Sequence, residues 1–135
     1  MRTLESVKLD IIALGTDVHV DTTTPDLFFF RGEERHMPFA TIVTRDTEFD
    51  NFGKLDADRS FRLNIGLDRS TFASIFPGLD SRTALEEACI DYATRDQLIP
   101  HPVYGRMHWA CAINPSSAYT ECLVLLKKAY EATSP

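Results

Sequence analysis

Arg62 and Asn64 stand two residues apart in SFRLNIGL (Ser60–Leu67), and Arg106 and His108 repeat that spacing in RMHWACAI (Arg106–Ile113). In an extended chain, residues i and i+2 share a face, so each pair presents its polar heads together. A guanidinium, an amide and an imidazole suit a carboxylate, a phosphate or an enolate. Imidazole is also the usual proton carrier near neutral pH. Ahead of the second string lies PHPVYG, where His101 sits between Pro100 and Pro102, with Tyr104 three residues on. Proline-stiffened loops hold side chains in place at little further entropic cost. The sequence thus offers His108 and His101 as candidate catalytic residues, and Arg62, Asn64, Tyr104 and Arg106 as candidate ligand contacts. The plainer alternative puts Arg62 and Asn64 on a solvated sheet face and lets both histidines bond locally.

Other chemistries find little support. Asp46, Asp50, Asp56 and Asp58 crowd one stretch with Glu48. Hard cations bind such clusters, but no D-x-D-x-D-G order is present, and the stretch reads as a solvated acidic loop. Cys89, Cys111 and Cys122 form no CxxC or Cys/His zinc pattern and read as buried thiols. No metal is expected, because no ligand set of adequate spacing exists, and no cofactor, with a nucleotide-dependent enzyme or serine hydrolase disfavoured because GxGxxG, P-loop and GxSxG patterns are all missing. His19 and His36 read as surface residues. A net charge of −6 argues against a nucleic-acid partner. The first residues, MRTLESVKLD, carry no apolar signal core. No apolar run approaches the roughly 20 residues that span a bilayer. The expectation is a cytoplasmic protein without membrane contact, and nothing in the sequence specifies an oligomeric state.

The elements that must position these residues follow from periodicity. Leu4, Val7, Ile11 and Leu14 recur at helical spacing after a Thr3 cap, and Gly15 ends that helix. Strands are expected from Asp17 to Val20, in DLFFFR (Asp26–Arg31) and in PFATIVTRD (Pro38–Asp46), the last two as an antiparallel hairpin. Thr47–Ser60 is a long polar loop. SFRLNIGL is the next strand, with Phe61, Leu63, Ile65 and Leu67 on its core face. Asp68 and Ser81 cap two short helices. RDQLIPHPVYG is expected to be irregular, since its prolines exclude regular pairing. RMHWACAI is the last strand. Met107, Trp109, Cys111 and Ile113 read as its core face beneath the terminal helix, and Arg106, His108, Ala110 and Ala112 as its open face. Asn114 and Pro115 suit the start of the terminal helix, whose stripe is Tyr119, Cys122, Leu123, Leu126 and Tyr130. If the two strands are neighbours, Arg62, Asn64 and His108 converge, with His101 and Tyr104 at the rim.

PFATIVTRD, SFRLNIGLDRSTFASIFPG and LIPHPVYGRMHWACAINP, in this order, resemble domain-of-unknown-function family 6194 from about Asp26 to the end. FRLNIG and PHPVYG are the specific parts. More distantly, the helix, the LNIGLDRSTFASIFPG string and the His108-Trp109 pair resemble MmcQ/YjbR-like domains. That likeness implies an α+β fold, YjbR/CyaY-like. The expectation is one domain over 1–135: a single antiparallel sheet with N- and C-terminal helices packed on one face. The expected function is binding of a small anionic or polar molecule on the open sheet face, extending to a cofactor-independent acid/base enzyme such as an isomerase, lyase or cyclase. The rival is a non-catalytic module that offers the sheet face or the Thr47–Ser60 loop to a protein partner. DNA binding follows from fold analogy alone and is less favoured in so acidic a chain.

Overall fold

The structure, a computed structural model, describes residues 2–33 and 37–133, so the expectation for His36 lies outside the described residues. Helix α1 spans Leu4–Ile12 and opens on a capping box in which Thr3 and Ser6 satisfy each other's backbone N–H. Strands β1 (Val18–Asp21), β2 (Leu27–Arg31), β3 (Ala40–Val43) and β4 (Arg62–Gly66) follow. The short helices α2 (Arg69–Ile75) and α3 (Arg82–Glu87) come next, with Asp68 and Ser81 accepting at their N-termini. Strands β5 (Ile99–Pro100) and β6 (Trp109–Ile113) and helix α4 (Tyr119–Ala132) complete the chain.

The six strands form one antiparallel sheet in the order β1-β2-β3-β4-β6-β5. β2 and β3 pair as the expected hairpin, and β4 and β6 are neighbours, as convergence of their side chains requires. One face packs Leu27, Phe29, Ala40, Ile42, Phe61, Leu63 and Ile65 against Val7 and Ile11 of α1 and Tyr119, Cys122, Leu125, Leu126 and Ala129 of α4. This is the α+β sheet with both terminal helices on one face. Burial of these apolar side chains is its main stabilisation.

Cys111 and Cys122 are buried as expected, but Cys89, read as a buried thiol, is exposed, and three expectations about the elements also need correction. The last strand begins at Trp109, not Arg106. Gly105–Met107 forms a 3-10 turn, and His108 leaves it with a left-handed backbone (φ 71°) and its N–H bonded to the Gly105 carbonyl. The faces of β6 are also inverted. Ala112 joins the helix-side core, and Asn64 pairs with Cys111 and Gly66 with Trp109 across the ladder. Trp109, Cys111 and Ile113 therefore share the face of Arg62 and Asn64, and Trp109 does not lie beneath α4. Both faces of β6 are buried, so bulk did not mark the core side. The small alanines stand on the helix side, and the large residues fill the other. Met107, placed in the core by the same reading, is exposed.

Second, Ile99–Pro100 does pair, with Cys111 and Ala110. β5 is the sheet edge, where a proline lacking its N–H is tolerated. Third, α4 is not capped by Asn114 and Pro115. The Asp96 carboxylate reaches across to accept from the N–H groups of Ser116, Ser117 and Ala118. Those three bonds hold its pKa below the ordinary carboxylate value. Asn114 instead bonds the Phe61 N–H and Ser60 Oγ.

Candidate functional site

The sheet face away from the terminal helices carries a concave cavity of about 330 Å³. Phe28 of β2, Thr41 and Val43 of β3, and Arg62 and Asn64 of β4 form its base. Register puts them together: Phe28 pairs with Thr41, and Thr41 with Asn64. Met37, Pro38, Met107 and Trp109 wall it on one side, and Asp50, His101 and Tyr104 complete the lining.

The Trp109 ring can lie there because position 66 has no side chain. A Cβ on Gly66 would sit 2.9 Å from Cζ2 of Trp109 and 3.0 Å from its Cε2. Gly66→Ala is therefore expected to cost about 1–3 kcal/mol, the range for overpacking. It should also shift Trp109 emission, and urea titration followed by fluorescence measures both. An unchanged midpoint and spectrum would show that the ring rests elsewhere.

The polar part of the cavity is one connected network. Arg62, 1% exposed, gives Nε–H to Asn64 Oδ1 at 2.8 Å. Its fork meets the Asp50 carboxylate, Nη1 to Oδ1 at 3.1 Å and Nη2 to Oδ2 at 2.5 Å. Asn64 in turn donates from Nδ2 to Thr41 Oγ1. Partial burial raises the Asp50 pKa, but the hydrogen bond and charge of Arg62 outweigh it and hold the carboxyl below its ordinary value. The pair is thus ionised and balanced in charge.

His101 meets the same network from the other side. Its N–H bonds to the Trp109 carbonyl, and its own carbonyl accepts from Gly105, so the loop between β5 and β6 closes on itself. Its ring is buried and lies 5.1 Å from that of Tyr104. Nδ1 accepts from the backbone N–H groups of Val103 and Tyr104 at 3.0 and 2.9 Å. Nε2 lies 3.1 Å from Arg62 Nη2. Burial, and then the positive charge of Arg62, hold its pKa down at about 3, against a smaller upward pull from Asp50.

The structure thus joins Arg62, Asn64, His101 and Tyr104, four of the six candidates. It does not bring in His108 or Arg106. His108 turns away in its left-handed conformation and packs against the Phe72 ring, 5.6 Å between centroids. Arg106 lines a second depression, of about 590 Å³, with Phe49, Phe52 and Tyr92, which meets the cavity only at His101. The alternation that grouped both with Arg62 fails because the strand starts after them.

Asp50, Thr41 and Trp109 were missed. Thr41 was accessible from alternation, since it stands opposite Ala40 and Ile42 in phase. Asp50 had one indirect signal: an arginine on a doubly covered strand needs a carboxylate, and an acidic loop precedes it. That loop is not merely solvated. Asp46 accepts from the Leu55 and Asp56 N–H groups, and Asp58 bonds Arg95. Arg95 also donates to the carbonyls of Gly53 and Lys54, tying the Asp50 loop to the segment before β5. Among the described residues no group of three His, Cys, Asp or Glu side chains is arranged to hold a metal ion. No helix among them is long and apolar enough to cross a membrane.

Residues 4–134 match a family model described as a family of unknown function, DUF6194. No curated protein and no solved structure matches the chain.

Proposed function

We propose that this chain, which belongs to the DUF6194 family, is a binding domain for a small, uncharged, largely apolar molecule with one polar end. The observation that carries this reading is a cavity of about 330 Å³ whose one charged pair, Arg62 and Asp50, is already neutralised from within. Pockets of a few hundred cubic ångströms, apolar with a few fixed polar groups, are the usual form of a small-molecule site. Phe28, Val43, Met107 and Trp109 supply apolar wall. An anionic ligand would have to displace Asp50 from Arg62, so a neutral polar end is favoured over the anion that Arg62 alone suggested.

Binding is favoured over acid/base catalysis. A general base works best with a pKa near the operating pH, and His101, at about 3, is far from it. The rival interaction-module reading draws on Phe49 and Phe52, both exposed in the acidic loop, but two such rings make a small patch beside a formed cavity. A net charge of −6 speaks against nucleic acid. The likeness to MmcQ/YjbR-like domains adds nothing to this reading.

Trp109, the single tryptophan, lines the cavity and reports its occupancy. Titration with ethylbenzene, benzoate and benzylammonium, followed by Trp109 emission, is expected to give a saturable change with ethylbenzene. Affinity for each ion should be at least about tenfold weaker, because its charge would be buried without a free counter-charge. Tighter binding of benzoate would restore the anion reading, and no response to any of the three would remove the binding reading.

A further inference from the structure

The depression of about 590 Å³ that Arg106 lines has its own walls. Phe49 and Phe52 form part of them, and Phe49 is 85% exposed. The backbone that carries both rings is nevertheless fixed on either side. Between them, the Arg62 fork grips Asp50, and Thr47 and Asp50 exchange backbone hydrogen bonds. Beyond them, Arg95 holds the Gly53 and Lys54 carbonyls. Phe52 meets the Tyr92 ring edge to face, 6.2 Å between centroids. Exposed aromatic surface forgoes burial, and a concave patch of it marks a place for an occupant. The charges on the lining do not cancel. Arg82 and Glu86 pair with each other along α3, Nε to Oε1 at 3.2 Å. Arg106, in the 3-10 turn Gly105–Met107, forms no ion pair among the described residues. One uncompensated cation thus shares a depression with the Phe49, Phe52 and Tyr92 rings, in a chain of net charge −6.

We infer that this depression is a second binding site, for a small aromatic carboxylate, with the ligand's ring against Phe49, Phe52 and Tyr92 and its carboxylate on Arg106. The inference goes beyond the cavity reading above and does not depend on it. Aromatic rings gain from offset or edge-on contact with other rings beyond the area they bury. The planar fork of a guanidinium matches a carboxylate with two parallel bonds, and one positive charge balances one negative charge. A phosphate monoester carries nearly two negative charges, and the second would lie unmatched in a depression that Glu86 also lines. A cationic ligand would meet Arg106 as a like charge, and a neutral one would leave it unused.

Cys89 supplies a local reporter. It lines the depression and is exposed. Cys111 and Cys122 are buried, and burial pushes both thiols up to about 12. The test follows alkylation of Cys89 by iodoacetamide, read by mass spectrometry, during titration with 2-naphthoate, 2-naphthamide and decahydro-2-naphthoate. These share one carbon skeleton and differ in charge or in aromaticity. 2-Naphthoate is expected to slow alkylation saturably and at lower concentration than both others. Arg106→Gln should weaken it by roughly threefold to tenfold, the worth of one hydrogen bond partly open to water, and leave 2-naphthamide unchanged. Phe49→Ala should weaken both naphthyl compounds by roughly threefold to tenfold, the worth of an aromatic contact. Both side chains are exposed, and an unchanged urea midpoint shows that each variant is folded. Equal protection by 2-naphthoate and 2-naphthamide, or protection indifferent to Arg106→Gln, would overturn the carboxylate class. Equal protection by the saturated acid would overturn the aromatic half. No protection by any of the three would overturn the inference and return Phe49 and Phe52 to the interaction-module reading. The cavity is read by Trp109 and this depression by Cys89, so either can fail alone.

Discussion

Arg62→Met should destabilise the protein by about 3 kcal/mol, read as a shift in the urea midpoint at constant slope. Stranding the partner of a buried ion pair costs about 3–5 kcal/mol. The low end applies because the Asp50 side chain keeps 24% exposure and can draw on water. Methionine matches the length of the arginine stem, so the loss is one of partners rather than volume. Three bonds vanish together: Nε to Asn64 and the two-pronged contact with Asp50. Asn64 keeps its bond to Thr41 Oγ1, but its Oδ1 is left buried without a donor. Asp50→Leu in the same protein should recover part of the loss, since it removes the stranded charge. The coupling between the two changes measures the pair itself. If Arg62→Met costs less than about 1 kcal/mol, or Asp50→Leu worsens it, Arg62 and Asp50 do not depend on each other. Arg62→Lys should fall between the wild type and methionine, because an ammonium keeps the charge and loses the two-pronged geometry.

The same residue shows what the sequence could and could not reveal. Alternation in SFRLNIGL put Arg62 and Asn64 on one face and Phe61, Leu63 and Ile65 on the other, and the core is built that way. The adjacency of β4 and β6 agrees with that reading. Both are local or nearly local properties: period two fixes a face, and the helix stops and caps fix the order of elements. The opposite face of β6 was misassigned because hydrophobicity decides a face only when the other face is wet. Here both are dry. Trp109 covers Gly66 on the cavity side, and Ala112 lies within the helix-side core. The orientation is set by ladder register with β4, a contact some fifty residues distant in sequence that no window of neighbours contains. His108 was lost for a related reason. A non-glycine residue with φ near 71° is not announced by its own side chain, and that single turn separates the His-Trp pair. Asp50 is a third case. Its loop looked like any acidic loop, and only the buried arginine opposite it distinguishes this carboxylate from Asp46 and Asp58, which secure the loop itself.

Lowering the pH from 7 to 4.5 should cost the wild type about 2–3 kcal/mol more stability than it costs His101→Asn. His101 titrates near its ordinary value of about 6.5 once the chain unfolds. In the folded protein, burial and the adjacent Arg62 hold it at about 3. Between those two values the unfolded chain takes up a proton that the folded chain refuses. Stability therefore rises with pH across this window and falls as acid is added. At pH 4.5 about two units of the window have been crossed, each worth about 1.4 kcal/mol. The carboxylate in contact with Arg62 does not confound this range. The Asp50 pKa is lowered from 3.8, so at pH 4.5 Asp50 is ionised in the folded protein and largely ionised in the unfolded chain. Most of its contribution is lost below that pH, between its unfolded and folded values, and it is present in both proteins compared. Asparagine at position 101 retains an acceptor for the Val103 and Tyr104 N–H groups, so the variant isolates the titration from the loop geometry. Urea unfolding of both proteins at the two pH values supplies the four free energies. Equal losses in the two proteins would mean that the folded protein accepts a proton at His101 as readily as the unfolded chain. The ring would then be wetter or closer to Asp50 than Arg62 allows.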